Sequence, residues 1–281
     1  MSRTARHLPL AAILLAALSL SGACSDPGGP DLAPGRYRLA SVNGRPVPYM
    51  APTSSGYLVL VSHGDLLIRG DGSFALGITD VTGLGMLATG RWSGGGDAVR
   101  LAFDPWGPGV PGSRLEALAD GDSIAVDTEF ALGVPSPLRL VFRLAPLPRP
   151  TVSSGTYVLT SMAGSTDLAF EDTAGGHRRV HRVLFDSLTF IDGLFFRRHR
   201  SERTEWYRNP TDPEIGSEEW VTFGSYDGGD GVLVLRDYRT GMWVRAADSL
   251  ALGEGTLVRR TPALHPETGE EYTWEDVYSR R

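Results

Sequence analysis

Gly35-Arg36-Tyr37-Arg38-Leu39-Ala40-Ser41-Val42-Asn43-Gly44 returns 120 residues later as Gly155-Thr156-Tyr157-Val158-Leu159-Thr160-Ser161-Met162-Ala163-Gly164, with Gly, Tyr, Leu, Ser and Gly in register. Tyrosine and leucine stand two apart in both versions, the spacing of a strand with one inner face. Four further landmarks recur in one order. Asp71-Gly72-Ser73-Phe74 answers Asp192-Gly193-Leu194-Phe195, Gly90 and Trp92 answer Gly224 and Tyr226, Gly94-Gly95 answers Gly228-Gly229, and Asp122-Ser123-Ile124-Ala125-Val126 answers Asp248-Ser249-Leu250-Ala251-Leu252. Such a series marks an internal duplication. The boundary falls in the proline-rich stretch Ala145 to Pro150, which makes 35–144 one domain, 145–154 a linker and 155–281 a second domain. The linker predicts halves that fold independently.

Within each copy the apolar period is two. Val99, Leu101 and Phe103 alternate with Arg100 and Ala102, and Leu138, Leu140 and Phe142 alternate with Arg139 and Arg143. Glycine- and aspartate-rich turns separate the runs, as at Gly70-Asp71-Gly72, Gly94-Gly95-Gly96 and Gly228-Gly229-Asp230-Gly231. No stretch keeps a helical apolar stripe over three turns. The fold class expected is therefore all-β. About eight strands per copy, joined hairpin after hairpin, suggest two tandem small antiparallel up-and-down β-barrels, because closing the sheet removes its exposed edges.

Ahead of the repeat, Arg3 and Arg6 precede an apolar run from Leu8 to Leu20 and then Ser21-Gly22-Ala23-Cys24, the only cysteine of the chain. A run of thirteen residues is too short for a spanning helix, which needs roughly 20. An ordinary secretory peptide fits the charge and the run. The placement of the sole cysteine directly after Gly22-Ala23 resembles the bacterial lipoprotein signal with its lipobox. That resemblance implies a signal peptide over 1–23, a lipid on Cys24, and a cell-envelope location on the periplasmic or surface side of a membrane. Residues 24–34 form a proline-containing tether, of which ten residues reach at most about 35 Å.

Beyond the signal the chain carries 25 arginines, no lysine and 33 acidic residues. That acidic balance argues against nucleic acid as a partner. A cysteine used for lipid leaves no thiol for a disulfide, so packing alone must stabilise the fold.

Each copy also resembles a lipocalin-like β-barrel, in which the first strand carries Gly-x-Trp and the last strand an arginine that packs over the ring. Gly35-x-Tyr37 with Arg143, and Gly155-x-Tyr157 with Arg280, stand at the matching ends, with tyrosine in place of tryptophan. The resemblance implies a structural clasp, Arg143 on Tyr37 and Arg280 on Tyr157. It also implies a protein that binds: a small apolar ligand or an envelope component as the leading expectation, with solid barrels acting in structure or protein interaction as the alternative.

Motifs for chemistry are sparse. His177 and His181 lie four apart without the glutamate of a zinc protease motif, and read as a surface pair. Asp120-Gly121-Asp122 opens like a calcium loop, but Ile124 fills the next ligand position, so a hairpin turn is expected. No phosphate-binding loop and no nucleophile elbow is present. The expectation is therefore no catalytic residue, no metal and no cofactor. The densest functional candidate is an arginine and aromatic cluster, Arg197, Arg198, Arg200, Trp206 and Tyr207, with Glu218, Glu219 and Trp220 further on. It reads either as a recognition patch for an anionic glycan, a lipid headgroup or a partner, or as two long adjacent strands whose arginines face glutamates.

Overall fold

The first strand starts at a glycine in both copies, bends at the same place and ends in the same turn. In the computed structural model, β1 (Gly35–Val42) carries an irregularity between Leu39 and Ser41 where it pairs with the last strand of its own copy. Its counterpart in the second copy has one between Leu159 and Ser161. The turns that follow hold two successive residues at positive φ, Asn43 (51°) and Gly44 (75°), then Ala163 (51°) and Gly164 (78°). Two left-handed residues in a row reverse a strand tightly. The structure describes residues 32–52, 58–79, 85–95, 97–104, 114–128, 138–149, 152, 154–174, 177–209, 212–238, 248–264 and 271–281. Cys24 lies outside them.

In the first copy β1 is followed by β2 (Arg45–Pro46), then a hairpin of β3 (Tyr49–Pro52) and β4 (Leu58–Val61). Seven strands complete the wall: β5 (Gly64–Ile68), β6 (Ser73–Thr79), β7 (Gly85–Gly95), β8 (Ala98–Phe103), β9 (Arg114–Asp120), β10 (Ser123–Thr128) and β11 (Leu138–Ala145). Each pairs antiparallel with the next, and β11 returns to β1, closing an eight-stranded barrel. The second copy repeats this with β12 (Gly155–Met162), β13 (Ala169–Ala174), β14 (His177–Ile191), β15 (Phe195–Asn209), β16 (Asp212–Gly229), β17 (Val232–Asp237), β18 (Asp248–Leu252), β19 (Thr256–Leu264) and β20 (Glu271–Arg280). There β12 pairs with both β14 and β20, and β13 lies outside the closed ring on the first half of β14.

Strand order corrects one landmark. The Asp122 segment opens β10, the seventh strand of its ring, whereas Asp248 opens β18, the sixth. An aspartate and a serine ahead of alternating apolar residues mark the start of a strand, not which strand it is. The other landmarks sit on equivalent strands. Phe74 pairs with Gly90 as Phe196, not Phe195, pairs with Gly224. In both cases a Cβ on the glycine would meet the phenylalanine ring within 2.7 Å, which is why glycine stands there twice.

The bases of the barrels close alike. Leu32 and Val152, each three residues before the opening glycine, are buried in their own cores. The opposite ends differ. In the first barrel the inner face of the β3–β4 hairpin, Ala51 and Val61, joins the core. In the second, β14, β15 and β16 run to 15, 15 and 18 residues, against 5, 7 and 11 for β5, β6 and β7, and extend the wall well past the core.

A third core lies between the barrels. Leu67 and Ala75, on the outer faces of β5 and β6, pack with Leu87 against Leu194, Phe195 and Tyr238. Beside this core Asp65, 1% exposed, accepts hydrogen bonds from Arg36 Nε (2.6 Å), Ser225 Oγ (2.5 Å) and Tyr238 OH (3.0 Å). Arg36 also reaches Asp227 at 2.7 Å. The proline linker thus joins barrels that already share buried apolar and ionic contacts, and neither half keeps this surface covered alone.

The mouth of the second barrel as candidate functional site

Alternation decides which side chains enter each barrel, so equivalent inward positions can be compared. From the base upward β15 turns Phe196, Arg198, Arg200 and Glu202 inward; opposite them β14 turns Phe190, Leu188, Asp186 and Val183 inward. A bulge between Val183 and Phe185 keeps Val183 buried and throws Leu184 out to 57% exposure. On the next strand Thr222 and Trp220 face Arg198 and Arg200. Across the barrel β19 contributes Leu257 and Arg259, and β20 Tyr278 and Asp276. The same register in the first barrel gives Leu76 for Arg198, Ile78 for Arg200, Gly64 for Asp186, Phe142 for Tyr278, Leu140 for Asp276 and Val126 for Arg259. Every one of these six positions is apolar or glycine in the first copy and polar in the second.

The polar layer is bonded into a network. The Asp186 side chain is fully buried and accepts from Arg198 Nε (3.1 Å) and Nη2 (2.6 Å), Arg200 Nη1 (3.1 Å) and Tyr278 OH (3.1 Å). Burial alone would push its carboxyl up, but the arginine charges and donated hydrogen bonds outweigh this and hold it below the usual carboxylate range. Burial pushes the Tyr278 hydroxyl up to about 12, so at neutral pH it is a donor. Asp276 accepts from Arg259 Nε at 2.9 Å and from Trp274 Nε1 at 2.7 Å. Thr222 donates to Asp237. The Arg198 guanidinium lies 5.4 Å from the centre of the Trp220 ring. Above this layer Phe170 stacks on His181 at 4.6 Å and meets Trp274 edge-on at 5.7 Å. Among the charged members the two carboxylates are the more buried, at 0 and 2% exposure, while Arg198, Arg200 and Arg259 reach 12, 15 and 19%. The guanidiniums are therefore the part of this charged layer that keeps some contact with solvent, and we refer to them as its floor.

The sequence-derived cluster divides between two faces. Arg198, Arg200 and Trp206 share the inner face of β15; Arg197 and Tyr207 lie on the outer one. Arg179 covers the Trp206 ring at 5.0 Å, and Arg178 covers the Tyr207 ring at 4.8 Å. On the outer face arginines do meet glutamates: Arg178 with Glu171, Arg182 and Arg203 with Glu205. The five residues therefore do not share one face, since consecutive strand positions point to opposite sides.

The clasp is corrected too. Tyr37 is fully buried opposite Leu144 and donates its hydroxyl to the Ala33 carbonyl at 2.8 Å, while Arg143 pairs with Arg38 and is exposed. Arg280 does stand opposite Tyr157, but its guanidinium reaches the Ser154 carbonyl at 3.3 Å, and Tyr157 instead meets Phe190 edge-on at 5.6 Å. Register makes Leu144, not Arg143, the equivalent of Arg280.

Sequence reasoning names Trp220 beside the arginine cluster but none of Asp186, Arg259, Trp274, Asp276 and Tyr278. The available signal was phase: Asp186 stands two residues from Leu188, Arg259 two from Leu257 and Asp276 two from Tyr278, each on an inward face. Of the histidine pair, His177 is exposed and His181 contacts Phe170 and Thr204. Among the described residues no group of three histidine, cysteine or acidic side chains could hold a metal ion. Asp120-Gly121-Asp122 is the turn between β9 and β10, with Gly121 at φ 55°. Comparisons with protein-family models, curated proteins and solved structures found no match to this chain.

Proposed function

We propose that this is an exported, lipid-anchored, non-catalytic binding protein that holds a component of the cell envelope at the mouth of its second barrel. One observation carries the reading: six inward positions that are apolar or glycine in the first copy carry a hydrogen-bonded arginine, aspartate and tyrosine layer in the second. Burying charges is costly even when they are paired, and the first copy shows that this architecture does not need them. A wholly apolar ligand suits this floor poorly, because covering guanidiniums removes their water without supplying an acceptor. Asp186, held ionised by its arginines, is not poised as a general acid. The alternative of a solid, structural barrel is favoured for the first half, whose inward residues and hairpin cap pack into one apolar core.

The test is native mass spectrometry of the chain from Ser25 onward, exported and purified without detergent. A co-purified mass should be present, and Asp186→Asn, which disrupts the floor, should lose it. A bare polypeptide mass that stays bare after exposure to an envelope extract would overturn the binding reading. For the anchor, Cys24→Ser should abolish acyl labelling and move the full-length protein to the soluble fraction. Unchanged membrane association would place the anchor elsewhere.

A further inference from the structure

Arg200 is the least satisfied member of the floor. Its Nη1 donates to Asp186 at 3.1 Å, but its Nε is buried with no aligned hydrogen-bond acceptor. The Glu202 carboxylate stands against that Nε as an ion pair without completing a hydrogen bond. A buried donor whose one nearby acceptor is misaligned gains less than a completed hydrogen bond would give. Glu202 is also a poor permanent partner. It is 28% exposed and lies directly opposite the exposed Glu218 in the β15–β16 ladder, where like charges repel. Asp186, fully buried and accepting four hydrogen bonds, is the contrasting fixed partner.

Building on the mouth of the second barrel as the binding site, we infer that the ligand presents an oxyanion, a carboxylate or a phosphate, to the edge of Arg200 that Glu202 holds, and displaces Glu202 from it. The planar guanidinium fork matches such groups bidentately, and hydrogen bonds to ionised partners are the strong ones. The Trp274 and Phe170 rings above the floor give the rest of the ligand an apolar wall to lie against. Glu202 then acts as a selectivity element: it repels an anion that binds loosely and yields only to one that completes the fork.

Four probes with one dodecyl chain separate the possibilities: dodecyl phosphate, dodecanoate, dodecanol and dodecyltrimethylammonium, each below its micellar concentration. They are titrated into the chain from Ser25 while tryptophan fluorescence is followed. The two anions should bind at least about tenfold more tightly than the alcohol, and the relative strength of phosphate and carboxylate identifies which source the site prefers. Glu202→Gln should tighten the anions several-fold and leave dodecanol unchanged. Arg200→Gln should remove the preference for anions, and Arg200→Lys, which keeps the charge but not the fork, should retain only part of it; melting curves show that each variant is folded. Equal affinity for alcohol and anions, tighter binding of the ammonium probe, or no tightening in Glu202→Gln would overturn the oxyanion inference while leaving a binding mouth intact. Failure of all four probes to bind would overturn both readings.

Discussion

Where the first barrel points Leu76 and Ile78 of β6 into its core, the second points Arg198 and Arg200 of β15; where the first has Phe142 and Leu140 of β11, the second has Tyr278 and Asp276 of β20. The backbone around them is the same, down to the irregularity in the first strand and the paired left-handed residues after it. The wall of such a barrel is held by its ladder of backbone hydrogen bonds and by the layers nearest the base. In the second barrel these layers stay apolar, with Phe190, Phe196, Leu233, Leu250 and Leu257 buried together. The upper layer is then free to change chemistry, provided every buried charge finds a partner. One copy acquired a floor of guanidiniums beneath an extended wall, and the other kept a hairpin across its end.

The comparison breaks most sharply at Asp186. Asp186→Asn leaves Arg198 and Arg200 buried without their common countercharge, and removing one partner of a buried ion pair costs about 3–5 kcal/mol. Hydrogen exchange should then accelerate for amides of β14, β15 and β20, and much less for those of β10 and β11. Replacing the group together, with Asp186→Leu, Arg198→Leu and Arg200→Ile after the pattern of the first barrel, should be neutral or stabilising by about 1–4 kcal/mol. A triple variant less stable than Asp186→Asn would show that the polar layer holds the second barrel up instead of being tolerated by it.

Alkaline pH separates the barrels next. Tyr278 is pushed up to about 12 by burial, whereas Phe142, its equivalent, cannot ionise. An unfolded tyrosine ionises near pH 10 while the buried hydroxyl stays protonated, so the contribution is whole below pH 10 and is lost as pH rises from there through about 12. Two pKa units correspond to roughly 3 kcal/mol. Tyr278→Phe should flatten that part of the stability profile between pH 10 and 12. An unchanged profile would mean that the hydroxyl is not desolvated.

The smallest of the three effects tests how far the barrels are one body. A Cβ at Gly77 would stand 2.3 Å from the Tyr238 ring, which is buried and hydrogen-bonded to Asp65. The ring cannot swing away cheaply, so Gly77→Ala should destabilise by about 1–3 kcal/mol, as overpacking does. Small-angle scattering should show a looser pair of barrels, with both barrels still closed by circular dichroism. Unchanged scattering and stability would mean that the interface gives way without loss, and would restore the reading of two independent halves.

Period-two alternation, glycine and aspartate turns and the repeated Gly-x-Tyr opening made strands, copies and closure legible, because each depends on residues close in sequence. Register was not legible to a single residue, and in a strand one residue exchanges the faces. Arg143 was read as the partner of Tyr37 on that account, although the ladder sets Leu144 there. The same ambiguity merged Arg197 and Tyr207 with Arg198 and Arg200, and hid Asp186, whose partner Tyr278 is 92 residues away. Arg36 and Asp65, charged residues on outward faces, carried every mark of solvated positions, yet they are 1% exposed beneath the neighbouring barrel.

By itself, then, the sequence determined an all-β chain of two related copies and the alternation of their faces, because hydrophobic period and turn chemistry act over a few residues. Only the tertiary structure decided which inward face is polar, which arginine meets which carboxylate and which outer surfaces are covered. Those are properties of ladder register and of contacts between residues 80 to 191 positions apart, and no local pattern encodes them.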